Sequence, residues 1–263
     1  MRRAAALVLL AALGVAGCQR ALVLPGPGGI DGPEALAATL ARHAGAVTSL
    51  RGEARVQVRT GDLRGSAQQV VVAEAPDRLR LETLGAFGQP ALVFAAAPGT
   101  QALFVAREGR LYLGPGVARR LPILPEGFEV PDLVAVLMGR VPRAALVGAA
   151  AGRLEVLGRE RRYRLETTAP ATGGRWRIVV DADGRYPVEV ARLGEGGAAE
   201  VTAAFEEFRP TAAGAFPYRI RVVDPARPLE ARIDYEAIEI NPPLPTGAFQ
   251  IAAPRGAVTV EVE

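Results

Sequence analysis

Residues 51–60 read RGEARVQVRT, and this stretch decides the fold. Ala54, Val56 and Val58 alternate with the charged or amide side chains at positions 53, 55, 57 and 59. Successive side chains of a strand point to opposite faces of its sheet, so a period of two predicts a strand with one buried face and one wet face. We therefore expect an antiparallel sheet that covers a core on one side only.

The same alternation recurs along most of the chain. The apolar members are Leu79 and Leu81; Tyr163 and Leu165; Trp176, Ile178 and Val180; Tyr218, Ile220 and Val222; and Ile233 and Tyr235. Turn signals separate these runs, among them TGD at 60–62 and DADG at 181–184. The spacing predicts about eleven to thirteen strands, mostly antiparallel, as in sandwiches and barrels.

Two segments have a helical pattern instead. Residues 33–50 begin with a proline and a glutamate, which suit a first helical turn, and carry their large aliphatic side chains on roughly one face. Residues 131–138 follow the proline-rich linker at 121–125 and predict a short helix with Asp132 as its N-cap.

Two short helices cannot cover the whole apolar face of so large a sheet. The uncovered part is expected to enclose an apolar cavity, although each residue taken alone also fits a plain core filled by side chains. The predicted cavity residues are Val56, Val58, Leu79, Leu81, Tyr163, Leu165, Trp176, Ile178 and Ile220.

The N-terminus has the pattern of a secretion signal that ends at the single cysteine. Arg2 and Arg3 precede an apolar run at 4–13, which is too short to span a bilayer, and small residues follow it. The sequence VAGC at 15–18 resembles the bacterial lipobox. This resemblance implies cleavage before Cys18 and acylation of Cys18. Each CH₂ group of the acyl chains that enters the bilayer would add about 0.8 kcal/mol of binding free energy, so the anchor would be effectively permanent. An ordinary signal peptide with a chance cysteine is the alternative.

These signals divide the chain into three parts. Residues 1–17 are the expected signal peptide, and residues 18–32, which include PGPGG, are the expected flexible tether from the lipidated cysteine. Residues 33–263 are expected to form a single domain, since an all-β chain of that length can do so. Gln19 replaces the aspartate that retains lipoproteins in the inner membrane of enteric bacteria, which favours the periplasmic face of the outer membrane.

The composition argues against several classes of function. The chain has 31 Lys and Arg and 28 Asp and Glu, interspersed without a basic block, so nucleic-acid binding is not expected. His43 is the only histidine, and Ser49 and Ser66 are the only serines, so neither a nucleophile–base pair nor a multi-histidine metal site can be assembled. We expect a protein that is not an enzyme and has no cofactor and no metal.

Several short stretches occur in an order that resembles the LolA/LolB superfamily of periplasmic lipoprotein carriers and outer-membrane receptors. After the lipobox and the first helix come LRGEA (50–54), DRLRL (77–81), FG (87–88), EGRLY (108–112), LMGRVP (137–142), the Trp176 strand and FEEF (205–208). The resemblance covers roughly residues 34–210. It implies a mainly β fold: an unclosed antiparallel β half-barrel with short lid helices over an apolar cavity that receives acyl chains. The chain departs from LolB beyond Arg209.

The resemblance implies a function as well as a fold. We expect a lipoprotein that binds the acyl chains of lipoproteins or another amphiphile and helps deliver them to the outer membrane. Its expected partners are membrane lipid, through acylated Cys18, and a periplasmic carrier protein. The alternative is a structural or sensory lipoprotein that uses the same fold to bind envelope proteins.

The segment LGAFGQP at 84–90 is a further expected site. Two glycines bracket Phe87, so the segment is predicted to be a surface turn. Either Leu84 and Phe87 belong to a loop that faces the membrane, as the resemblance to LolB implies, or Phe87 folds back and plugs the rim of the barrel.

Overall fold

The computed structural model describes residues 30–61, 63–121 and 123–263. Three helices accompany fourteen strands in these ranges. The helices are α1 (Pro33–Ala46), α2 (Val130–Leu137) and α3 (Arg143–Val147). The strands are β1 (Ser49–Thr60), β2 (Leu63–Glu74), β3 (Arg78–Leu84), β4 (Pro90–Ala97), β5 (Thr100–Val105), β6 (Arg110–Leu113), β7 (Arg153–Leu157), β8 (Arg162–Thr168), β9 (Arg175–Asp181), β10 (Pro187–Leu193), β11 (Ala199–Thr211), β12 (Gly214–Asp224), β13 (Leu229–Ile240) and β14 (Val258–Glu261).

All fourteen strands belong to one sheet, in the order β14-β6-β5-β4-β3-β2-β1-β13-β12-β11-β10-β9-β8-β7. Neighbouring strands are antiparallel except β14, which pairs with β6 in parallel. The edge strands β14 and β7 do not pair with each other, so the sheet stays open. The predicted fold class is confirmed. The predicted strand number was slightly too low because β6 and β14 have only four residues each, too few to show an alternating pattern.

One face of the sheet holds the main core, as the alternation predicts. In β1, Ala54 and Val56 are buried and Arg55 and Gln57 are exposed. Helix α2 packs against β2 and β3, and its apolar side chains join those of the sheet in one cluster. The half-barrel is therefore lined by strands and filled largely by α2 and the segment that precedes it.

The start of α2 differs from the expectation. Glu129, not Asp132, is the N-cap, and Asp132 is the third helical residue of a capping box. The backbone N–H of Glu129 donates to Asp132 Oδ2 at 3.1 Å. The prediction was wrong because the apolar run begins already at Val130, and Pro131 in the first turn needs no N–H acceptor.

A buried tyrosine joins α2 to the sheet. The hydroxyl of Tyr235 in β13 donates to the carbonyl oxygen of Leu137 at 2.8 Å. Its ring lies against Gly52 of β1, where an added Cβ would approach Tyr235 Cε1 to 2.8 Å. Burial raises the pKa of the Tyr235 phenol, so the hydroxyl keeps its proton and remains a donor.

The C-terminal part of the chain contributes to the middle of the sheet and to its outer face. Strands β12 and β13 lie between β1 and β11. The following tail crosses the outer face, where Nη1 of Arg80 donates to the carbonyl oxygen of Gln250 at 2.8 Å, and ends in β14 beside β6. Between tail and sheet remains a groove of about 1070 Å³.

Candidate functional site

An apolar cavity of about 270 Å³ lies on the inner side of the sheet. Its walls come from the end of β1, the start of β2, the end of β3, the start of β4 and the segment before α2. Its lining residues are Val56, Val58, Gly65, Ser66, Ala67, Gln69, Leu81, Thr83, Leu92, Leu121 and Ile123. The walls are mostly hydrocarbon, so the cavity suits an apolar group.

The nine predicted cavity residues separate into two sets. Val56, Val58 and Leu81 line the cavity. The other six are at least 95% buried in the main core and do not line it, namely Leu79, Tyr163, Leu165, Trp176, Ile178 and Ile220. The difference arises because α2 and the preceding segment occupy most of the concave side, so this cavity is limited to the end of the half-barrel next to the Phe87 loop.

Residues 121 and 123–128, which we call the lid segment, close this cavity from the interior side. Leu121 and Ile123 line the cavity, and both are at least 95% buried. Phe128 packs on Trp176 of β9 with ring centroids 5.8 Å apart. The prolines at 121–125 indicate only a linker, so the sequence does not predict that Leu121 and Ile123 form a wall of the cavity.

A buried carboxylate holds the lid segment to the turn between β12 and β13. Asp224, whose side chain is 1% exposed, accepts the backbone N–H of Glu126 at 3.2 Å and the Nε–H of Arg227 at 3.0 Å. Arg227 also donates through Nη2 to the carbonyl oxygen of Leu124 at 2.6 Å. Burial alone would raise the pKa of Asp224, but the Glu126 N–H and the Arg227 guanidinium outweigh burial and lower it. Asp224 is therefore ionised when the lid segment is closed.

One wall of the cavity carries polar atoms. Nε2 of Gln69 donates to Thr83 Oγ1 at 3.1 Å, and Ser66 lines the same wall. Oε1 of Gln69 is buried without a hydrogen-bond partner in the described parts of the chain. Leaving such an acceptor unpaired costs about 1–3 kcal/mol. The wall of this mostly apolar cavity therefore carries a few polar atoms, at Ser66, Gln69 and Thr83.

The loop that carries Phe87 lies beside this cavity. Thr83 and Leu92 of the cavity wall are paired across β3 and β4, directly next to the loop. The backbone N–H of Gly85 donates to the carbonyl oxygen of Gln89 at 2.8 Å, which closes the loop. The Phe87 side chain is 93% exposed, whereas Leu84 is half-buried. The plug interpretation of Phe87 is therefore wrong, and contact with a membrane stays a prediction.

Several other expectations concern features outside this cavity. Cys18 and most of the expected tether lie outside the described residues. In the described ranges, no group of three or more His, Cys, Asp or Glu side chains could hold a metal ion. No helix in these ranges combines the length and the apolar character needed to cross a membrane.

The architecture is shared with solved structures, although the sequence matches no family model and no curated protein. A domain described as an outer membrane lipoprotein-sorting protein from Vibrio parahaemolyticus is 11% identical, with a TM-score of 0.60 over 83% of this chain and 96% of that chain. A LolA superfamily protein from Nitrosomonas europaea is 12% identical, with a TM-score of 0.55 over 81% and 96%.

A third structure, a DUF1329 family protein from Desulfovibrio piger, is 12% identical, with a TM-score of 0.57 over 84% of this chain and 98% of that chain. At such identities a comparison shows the fold alone. The chain has a LolA-like fold, as its short sequence stretches indicate.

Proposed function

We propose that this protein is a membrane-anchored periplasmic lipoprotein that binds acyl chains of lipoproteins, or another amphiphile, and helps deliver them to the outer membrane. One observation carries the proposal: an apolar cavity opens beside a loop whose phenylalanine is 93% exposed. An exposed aromatic ring next to an apolar site suits transfer between protein and lipid, since both surfaces favour hydrocarbon.

The cavity volume indicates how an acyl chain would be accommodated. Ligand pockets commonly measure about 300–1,000 Å³, and this cavity measures about 270 Å³. A full acyl chain then needs more room, which displacement of Leu121 and Ile123 of the lid segment would provide. The hydrogen bond that Asp224 accepts from Glu126 and the one that Arg227 donates to Leu124 hold that segment in place.

The anchor at Cys18 would keep the cavity close to a membrane. An acylated cysteine followed by the tether expected from the sequence would let the domain turn its cavity toward a carrier protein or toward lipid. In this proposal the exposed ring of Phe87 enters the bilayer surface when the cargo leaves the cavity.

Binding of a fluorescent fatty-acid probe tests the proposal. Val58 is half-buried in the cavity wall, so Val58→Trp should fill part of the cavity and weaken probe binding at least about tenfold. Overpacking costs about 1–3 kcal/mol of stability only where no space is available, so the substitution should reduce probe binding more than it reduces stability. Val223→Trp is the matched control, because Val223 is a half-buried valine that does not line the cavity.

Two outcomes would contradict the proposal. The first is a folded Val58→Trp protein that binds the probe as tightly as the unchanged chain. The second is equal weakening by Val58→Trp and Val223→Trp, since this would mean that the probe does not use the cavity. Either result would favour the alternative of a structural or sensory lipoprotein that binds envelope proteins.

A further inference from the structure

A second pocket, of about 260 Å³, lies at the opposite end of the half-barrel. It is formed where α1 ends, behind the end of α2, and by the β9–β10 and β11–β12 turns. Strand β1 begins beside it, whereas the Phe87 loop follows the far end of β3. Its apolar walls are Leu40, Val47, Met138, Val141, Tyr186 and Phe216.

A helix-ending turn places Arg140 at this pocket. Gly139 has a φ of 65°, in the left-handed region, and its N–H donates to the carbonyl oxygen of Val136 at 2.9 Å. The N–H of Arg140 donates to the carbonyl oxygen of Ala135 at 2.8 Å. These two bonds form a Schellman motif, which fixes the direction in which the chain leaves α2. Arg140 is therefore held by backbone geometry, not by a surface loop.

The guanidinium of Arg140 has few partners for its five N–H donors. Nη1 donates to the carbonyl oxygen of Val47 at 3.2 Å and lies 4.0 Å from Sδ of Met138. No carboxylate pairs with it among the described residues. Burial lowers the pKa of Arg140, which reflects the cost of keeping this cation partly out of water. An anion in the pocket would offset that cost.

The other residues that line the pocket add no negative charge. His43 lines it, and the pKa of His43 is lowered by burial first and then by the charges of Arg42 and Arg185. No Asp or Glu is among the residues that line the pocket.

The nearest acidic groups belong to the β9–β10 turn. Burial raises the pKa of Tyr186 in the pocket wall, and the charges of Asp181 and Asp183 add to the effect. Asp183 is already engaged, because its Oδ1 forms a 2.5 Å ion pair with Nη2 of Arg161. The pocket thus combines apolar walls with an uncompensated positive charge.

We propose that this pocket binds a carboxylate carried on a short apolar stem, with Arg140 donating to both carboxylate oxygens. The guanidinium fork matches a carboxylate in two parallel hydrogen bonds. The volume of about 260 Å³ equals that of roughly nine water molecules at about 30 Å³ each, which fits a stem of a few methylene groups. Leu40, Val47 and Phe216 would contact the stem.

The single histidine provides a direct probe of this site. The full 263-residue chain, synthesised without acylation and without a histidine tag, would be labelled with ¹³C-histidine and titrated with octanoate. Because a bound anion favours the protonated ring, the pKa of His43 should rise as octanoate saturates the site. Equal concentrations of acetate, which has no stem, and of 1-octanol, which has no charge, should leave the His43 signals nearly unchanged.

Two variants locate the anion. Arg140→Gln should weaken octanoate binding at least about tenfold, the range expected when a charged hydrogen-bonding partner is removed. Arg143→Gln is the matched control, since Arg143 begins α3 and does not line the pocket. It should bind octanoate like the unchanged chain.

The proposal is overturned if octanoate leaves the His43 signals unchanged, if 1-octanol shifts them as much as octanoate does, or if a folded Arg140→Gln protein binds octanoate as tightly as the Arg143→Gln protein. Should Arg140→Gln fail to fold, the comparison of octanoate with 1-octanol on the unchanged chain still decides. In each case binding is measured from the His43 signals, and His43 lines this pocket and not the apolar cavity beside Phe87.

Discussion

Replacement of Phe87 by glutamate separates its proposed role in lipid contact from any role in stability. The side chain is 93% exposed and packs on little of the protein. A substitution at such a surface position should change the free energy of unfolding by no more than about 0.5 kcal/mol. Transfer of a phenylalanine side chain from water into an apolar surrounding is worth about 1.5–3 kcal/mol. Its loss should therefore weaken membrane contact by roughly tenfold to a hundredfold.

The assay follows a fluorescent acyl probe as it passes from the protein to liposomes, with a thermal unfolding curve for each variant. Phe87→Glu should slow transfer by about the factor given above and leave the melting temperature nearly unchanged. Phe87→Leu is the control, because it keeps an apolar side chain at the loop and should preserve transfer. A stable Phe87→Glu protein that transfers the probe at the normal rate would refute the role of Phe87 in lipid contact.

Three further predictions follow from single residues. Cys18→Ser should give a protein that no longer fractionates with membranes after a high-salt wash, and a variant that still does so would contradict the lipoprotein assignment. Asp224→Asn should loosen the lid segment, seen as faster hydrogen exchange at Glu126, because the charge-assisted bond from its N–H is lost. The pKa of Asp224 is lowered in the folded protein, so its carboxylate stabilises the fold above the ordinary pKa of about 3.9. This contribution to the free energy of unfolding is lost as the pH falls through the lower folded pKa, and Asp224→Asn should lack that pH dependence. Tyr235→Phe should cost about 1–3 kcal/mol of unfolding free energy, because it leaves the buried carbonyl of Leu137 without the hydroxyl donor, and an unchanged melting temperature would count against that role.

The sequence was most informative where one physical rule acts alone. Alternation in residues 51–60 was enough to assign β1 and its buried face, because a half-wet strand must show a period of two. The short stretches from 50–54 to 205–208 indicated the LolA-like architecture, which the structure and the structural comparisons confirm. Fold class therefore followed from local pattern together with the order of short stretches.

The cavity could not be located in the same way, because its shape depends on which segment fills the half-barrel. Alternation places Leu79 and Ile220 on the same buried face as Val58, but it does not tell which of them α2 and the lid segment will cover. The position of Arg140 could not be predicted either. Its guanidinium reaches the carbonyl oxygen of Val47 only because α1 and α2 end side by side. Such features depend on contacts between residues that are far apart in the sequence, and no local periodic pattern predicts those contacts.

The most direct test of the proposed function is native mass spectrometry of the protein purified from its own host in a mild detergent. We predict a population with the mass of the acylated protein plus a non-covalently bound acyl-containing molecule, which disappears on mild activation in the gas phase. This population should be absent from the Val58→Trp variant and present in Val223→Trp. Repeated preparations that show only the acylated protein, with no bound amphiphile in either the unchanged chain or the control, would contradict an acyl-binding function.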